Sequence, residues 1–321
     1  MTLDQRAPTA LSLLAPPALK GTWHRPLLWT AALLAALTAV LLVAVLLDPV
    51  RITNAPALLK PLKFTISIAV YCVTLSWLIG RLVRWRRALW WFGTVAAAGL
   101  LIEMVLILGA AVTGTTSHFN VSTPFATTVW AIMAFSISAV WLAAVPVVIL
   151  LLRQRVGDAA FSLSLRAGFV IALIGMALAF LMTSPTAQQL ADFHGIAGAH
   201  TVGVDDGGPG LPVLGWSTVA GDLRVPHFVG MHALQVLPLL ALGLEMLSAR
   251  VVPLRSVRVR ARLIAIATVL YLGVLAVVTV QALSAESVVA PSAGTLLVSA
   301  ALWLGAAVAA TVVVRRGEAR A

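Results

Sequence analysis

Four ionisable or amide side chains lie in the same half of three long apolar stretches of this sequence, where each is costly unless it meets a partner or water. They are Lys63, Glu103, His232 and Gln235. At 1.5 Å per helical residue, Glu103 lies roughly 14 Å, His232 about 10 Å and Gln235 about 15 Å from the ends of their stretches. His232 and Gln235 are three residues apart and share one helix face. The sequence therefore predicts a pocket formed by these four side chains.

The histidines suggest a cofactor for this pocket, because neutral imidazole is a common ligand of metals and of haem. The candidates for a haem b are His118, His227 and His232. The candidates for a divalent metal are His118, His200, His227, Asp205 and Asp222. His227 and His232 are five residues apart, roughly 140° around a regular helix, so they cannot both bind one ion from such a helix.

Three functional hypotheses follow from these residues. The leading one is redox chemistry at a bound metal or haem on the outer face of a membrane. The second is a proton-coupled transporter or permease, in which the four pocket residues form a relay. The third is a non-enzymatic membrane partner or assembly subunit. The residues single out neither a small-molecule ligand nor a protein partner, and their spacing predicts no catalytic residue.

The composition indicates whether water or lipid surrounds most of this protein. Of 321 residues, 61% are hydrophobic and 10% are charged, whereas soluble domains carry about 25% charge. The net charge is +11, but the cations form short clusters between apolar stretches, which is typical of cytoplasmic loops and not of a nucleic-acid site. We therefore expect the partner of this surface to be a lipid bilayer.

Eight stretches are long enough to cross a membrane as helices, which needs about 20 residues each. We predict an all-α, polytopic helix bundle with eight spans, because a single segment in lipid must satisfy its backbone internally. The predicted spans are 26–47, 60–80, 88–112, 125–152, 163–183, 227–248, 262–283 and 292–314.

Clusters of arginine predict the orientation of this bundle. They occur after every second span, at 81–87, 153–166, 250–262 and 315–320. The positive-inside rule then places both termini in the cytoplasm and the protein in the plasma membrane. One transmembrane domain, 26–314, follows a cytoplasmic segment, 1–25, and precedes a cytoplasmic tail, 315–321.

The longest connection, 184–225, lies on the predicted outer side. It contains Gly207-Gly208-Pro209-Gly210 and Trp216 among aliphatic residues, which is not the composition of a solvated linker. Long loops without secondary structure of their own are usually functional or disordered. We expect this one to fold back over the helix ends as a cap.

Three motifs resemble those of a family of bacterial, actinobacterial-type integral membrane proteins. They are Thr116-Ser117-His118-Phe119-Asn120, then HTVGVDDGGPGLPVLGW from His200 to Trp216, then GDLRVPHFVGMHALQ from Gly221 to Gln235. The resemblance covers roughly residues 55 to 315. It implies an eight-helix membrane protein, and it implies no activity.

Overall fold

A computed structural model describes residues 23–319, apart from the side chain of Glu318. The predicted N-terminal segment lies almost wholly outside these residues, and so does the end of the predicted tail. The eight long helices are α1 (Arg25–Leu47), α2 (Leu59–Arg81), α3 (Arg86–Val112), α4 (Pro124–Arg153), α5 (Ala159–Leu178), α7 (Arg224–Leu247), α8 (Val257–Leu283) and α9 (Ala293–Glu318). All eight are long and apolar enough to span a membrane. The predicted all-helical class and the predicted number of long apolar helices are therefore confirmed for the described residues.

Smaller elements lie between these helices. A 3₁₀ turn, Ala179–Met182, extends α5, and another, Val252–Arg255, precedes α8. A short helix, α6 (Ala187–Ala191), follows α5. Two antiparallel strand pairs complete the described chain, and they are β1 (Arg51–Ile52) with β2 (Ala55–Pro56), and β3 (Thr201–Val202) with β4 (Gly221–Asp222).

Side-chain caps fix where several helices begin, because the first amides of a helix have no partner within it. Thr123 accepts a hydrogen bond from the amide of Ala126 at 3.1 Å, and Asp158 accepts one from Phe161 at 2.9 Å. Pro146 in α4 and Pro238 in α7 leave both helices continuous.

The helices pack as a chain of neighbours, and the outer faces of several helices stay apolar and exposed. The most extensive contact joins α5 to α7. There the two backbones touch, and a Cβ atom added at Gly175 would lie 2.5 Å from the backbone of Gly230. The helix α9 contacts mainly α8, and Leu297 on it is 71% exposed. Such surfaces are suited to lipid and not to water.

Residues 183–223, which we call the connecting segment, are hydrogen-bonded to the loops at one end of the bundle. Asn54 donates to the carbonyl of Gly207 at 2.6 Å, and Ser287 donates to the carbonyl of Ser217 at 3.1 Å. The segment also pairs with the α3–α4 loop through a bridge between Asn120 and Ile196. The connection thus has its own secondary structure and fixed partners. It ends at Leu223, two residues before the predicted end of the loop, because α7 begins at Arg224.

The opposite end of the bundle carries the arginine clusters and has its own polar contacts. Arg260 donates to Asp158 at 2.7 Å and to the carbonyl of Leu254 at 2.6 Å. Ser76 in α2 donates to the carbonyl of His24 at 3.0 Å, which ties α1 to this end. The arginine clusters and the connecting segment therefore lie at opposite ends of the helices.

Candidate functional site

Lys60, at the start of α2, brings the α3–α4 loop into a buried polar cluster. Its Nζ lies 3.2 Å from Nδ1 of His118, and the hydroxyl of Ser117 lies 3.0 Å from the same nitrogen. An ammonium group can only donate, so Nδ1 accepts and Nε2 of His118 carries the proton. Burial lowers the pKa of His118 well below its usual range, and Lys60 and His200 lower it further. His118 is therefore a neutral imidazole at pH 7.

Aromatic rings enclose this imidazole. The ring centroid of His118 lies 5.5 Å from that of Trp130, 5.9 Å from that of Phe119 and 6.0 Å from that of Phe64. Phe119 also contacts His200, with centroids 5.0 Å apart. The two histidines therefore lie on either side of one aromatic ring.

His200 and Asp206 form a hydrogen-bonded pair within the connecting segment. Nδ1 of His200 donates to Oδ2 of Asp206 at 2.5 Å. The same carboxylate accepts from the amide and the hydroxyl of Thr201, at 3.0 and 2.8 Å. Burial raises the pKa of Asp206, but the hydrogen bonds from His200 and Thr201 outweigh it and hold this pKa well below its usual range. Asp206 is therefore ionised at neutral pH.

The same pair fixes the tautomer of His200. Burial lowers the pKa of His200, and its hydrogen bond to Asp206 offsets only part of that effect. A neutral His200 that donates from Nδ1 leaves the lone pair of Nε2 for another partner. Within residues 23–319 no side chain or backbone group hydrogen-bonds to that nitrogen. This arrangement is that of a general base oriented by a carboxylate.

Glu103 is the buried carboxylate of the cluster. It lies in α3, is 4% exposed, and its Oε2 has no hydrogen-bond partner in the described part of the chain. Lys60 interacts with it electrostatically but lies outside ion-pair distance. Lys60 thus stands between His118 and Glu103 and bonds directly only to the imidazole.

Helix α7 contributes His227 and the two predicted pocket residues His232 and Gln235. His227 donates from Nδ1 to the carbonyl of Gly175 at 2.8 Å, and it interacts electrostatically with His200 and His232. Nε2 of His232 and Oε1 of Gln235 are buried without a partner among the described residues. Both atoms can accept a hydrogen bond, so each of these side chains can still bind a donor.

Lys63, one of the predicted pocket residues, holds the connecting segment. Its Nζ donates to the carbonyl of Leu214 at 3.0 Å. Arg224 donates to Asp222 through Nε and a terminal nitrogen, at 2.9 and 2.6 Å, and to the carbonyl of Gly215 at 2.5 Å. Two cations thus fix the turn that precedes Trp216.

These contacts disagree with the predicted metal ligands. Asp222 is already bonded to Arg224 and to the amide of Ser217, and Asp205 is exposed while its neighbour Asp206 faces His200. Among residues 23–319, no group of three or more His, Cys, Asp or Glu side chains is arranged to hold a metal ion. His118, His200 and His227 lie in one cluster, but as separate hydrogen-bonded groups.

Sequence reasoning missed two members of the cluster, Asp206 and Arg224. Asp206 lies in the connecting segment and Arg224 at the first residue of α7, where no sequence periodicity predicts which side chains face the cluster. Their only signal was position, since Asp206 adjoins a predicted ligand and Arg224 is a cation on the side predicted to have few. Comparison with models of protein families, with curated proteins and with solved structures finds no match for this chain. The family resemblance of the motifs therefore stays a prediction.

Proposed function

We propose that this is a multi-pass plasma-membrane protein whose connecting segment forms an outer cap over a site for a small polar solute and a proton. The orientation follows from the arginine clusters, which the positive-inside rule assigns to the cytoplasm. On this reading both ends of the chain are cytoplasmic, and the polar cluster faces the outside.

One observation carries the proposal, and it is the unpartnered Oε2 of buried Glu103. A buried carboxylate oxygen without a donor costs several kcal/mol, and proteins retain such groups where a ligand or a proton completes them. Lys60 is close enough to interact but leaves this oxygen open. A solute with an amine or hydroxyl donor, or a proton, satisfies it.

The cluster connects this carboxyl group to the surface. His200 has a free Nε2 and interacts electrostatically with Lys60, which in turn contacts His118 and interacts with Glu103. A proton accepted at His200 thus has titratable groups on the way to Glu103. Beyond Glu103 the helices share an apolar core that includes Leu75, Leu78 and Leu151. The observed polar groups therefore favour entry from the segment side, and passage of a proton to the other end of the bundle requires this apolar core to open.

Proton uptake in proteoliposomes tests this function. Vesicles loaded with a pH-sensitive dye are exposed to amino acids, polyamines and small carboxylates as probes. We expect at least one class to move protons, and we expect Glu103→Gln to abolish that signal. Glu245→Gln is the matched control, because Glu245 is a buried glutamate at the inner end of α7. Equal behaviour of the two variants would contradict the proposal.

Acid–base catalysis is a second candidate, and the pair of His200 and Asp206 favours it. A carboxylate that fixes the tautomer of a histidine leaves its other nitrogen free to take a proton from a bound substrate. His200→Asn would then abolish turnover and leave binding of the solute intact, whereas a pure binding role predicts a change in affinity.

The haem or metal hypothesis and the partner-subunit hypothesis stay open as predictions. The arrangement of the side chains gives the metal hypothesis no support, since no group of three or more His, Cys, Asp or Glu residues within 23–319 is placed to hold a metal ion. Its test is an absorbance spectrum with elemental analysis of the purified protein. A Soret band or a stoichiometric metal would replace our proposal, and co-purification of a stable second membrane protein would favour the third hypothesis.

A further inference from the structure

A cleft at the arginine-rich end, formed by the start of α3, lies far from the polar cluster. It has a volume of about 560 Å³ and is lined by Trp85, Arg86, Arg87, Ala88 and Trp91. Its accessible surface is almost entirely apolar, although two arginines border it. The cleft therefore combines an apolar floor with a cationic rim.

The cations of this rim have no acidic partner among the described side chains. Arg84, Arg86 and Arg87 are exposed, and none of the ion pairs within residues 23–319, where the side chain of Glu318 is not described, includes them. Asp158, an acid at the same end of the bundle, already forms an ion pair with Arg260. Three adjacent cations without a counter-charge attract an anion, and the guanidinium fork matches a phosphate in two parallel hydrogen bonds.

The aromatic residues place this anion at the edge of a bilayer. Trp85 and Trp91 are 61% and 55% exposed, and Trp90 packs edge-on against Trp91 with centroids 5.0 Å apart. Exposed indoles that flank a spanning helix belong at the headgroup level. Along the rest of α3, Val95 and Val105 expose further apolar surface, which suits an acyl chain.

We propose that this cleft binds the headgroup of an anionic phospholipid from the leaflet at the arginine-rich end. Arg86 and Arg87 pair with the phosphate, Trp85 and Trp91 contact the glycerol region, and the acyl chains lie along α3. The charge of the rim and the apolar floor together select this occupant, since a soluble anion would use the cations and leave the exposed indoles in water. The inference is independent of the site around Glu103.

Lipid retention by the purified protein, measured by native mass spectrometry, tests the proposal. The probes are phosphatidylglycerol and phosphatidylcholine, each titrated into protein in detergent. We expect preferential binding of phosphatidylglycerol. The double variant Arg86→Gln, Arg87→Gln should weaken it roughly 30-fold, at about one kcal/mol per arginine near a surface. Trp85→Leu should weaken both lipids, because it removes apolar contact and no charge.

The matched control is Arg315→Gln, Arg316→Gln, which removes two adjacent exposed arginines at the same end of the bundle from a site without a tryptophan cleft. It should leave phosphatidylglycerol binding unchanged. An equal loss in both double variants would show unspecific charge attraction and overturn the proposal. Equal affinity for the two lipids, or displacement of phosphatidylglycerol by inorganic phosphate alone, would overturn it as well.

Discussion

Replacing Asp206 with asparagine tests whether this carboxylate holds the connecting segment over the cluster. Asparagine keeps the shape, and its oxygen can still accept from the amide of Thr201. It loses the charge and the acceptor for Nδ1 of His200, which is now 2.5 Å away. A hydrogen bond to a charged group contributes about 1.5 to 3 kcal/mol, so local opening of this turn should become roughly 10- to 150-fold more frequent.

Hydrogen exchange of the amides at 200–206, read by mass spectrometry, measures that opening. Asp205→Asn is the control, because Asp205 is the neighbouring residue with an exposed side chain, and its exchange should match the native protein. Similar exchange in both variants would refute the assignment of Asp206 as the acceptor that holds the segment.

The pH dependence of the same opening has a definite sign. The pKa of Asp206 is lower in the folded protein than in the unfolded chain, where it is about 3.9. Its contribution is therefore complete above that ordinary value and is lost as the pH falls below it. After correction for the intrinsic pH dependence of amide exchange, the opening at 200–206 should become more frequent in acid, and Asp206→Asn should flatten that dependence. A corrected native profile in which opening does not increase in acid would contradict the reasoning.

Two further predictions concern the bundle itself. Gly230→Ala should destabilise the protein by about 1 to 3 kcal/mol through overpacking, because a Cβ there would lie 2.4 Å from the Cα of Gly175. The control is Gly243→Ala, which should leave the stability unchanged because a Cβ there would meet nothing within 4 Å. Equal melting temperatures of the two variants would contradict the close approach of α5 and α7. Arg260→Gln should cost about 1.5 to 3 kcal/mol by removing the charged partner of Asp158, which is only partly buried and still caps α5, and adding Asp158→Asn should recover part of that loss. A double variant no more stable than Arg260→Gln would show that the pair acts only through other contacts.

The sequence predicted the helices well because lipid imposes a simple rule on them. Length, apolar composition and the arginine clusters each depend on the membrane alone and not on which helices touch. The largest error was at α8, which begins at Val257 and not at 262, because arginines in its first turns made that part look like a loop.

The sequence predicted how deep the site residues lie in the bundle, but not which groups their side chains contact. The sequence placed Glu103 and His232 in the same half of the bundle, and the structure puts both at the segment end. It could not show that Lys60 approaches Glu103 while Lys63 holds Leu214, since residues three apart both suit the same face. Nor could it choose Asp206 over Asp205, because an irregular loop has no period. Those choices depend on contacts between residues far apart in sequence.

Infrared difference spectroscopy of the protein in lipid nanodiscs observes directly whether Glu103 exchanges a proton. We predict a carboxyl band that changes with pH, disappears in Glu103→Gln, persists in Glu245→Gln and shifts in Lys60→Met. If the titrating bands of Glu103→Gln match those of the native protein, Glu103 is a static structural group and the proposed proton and solute site is wrong.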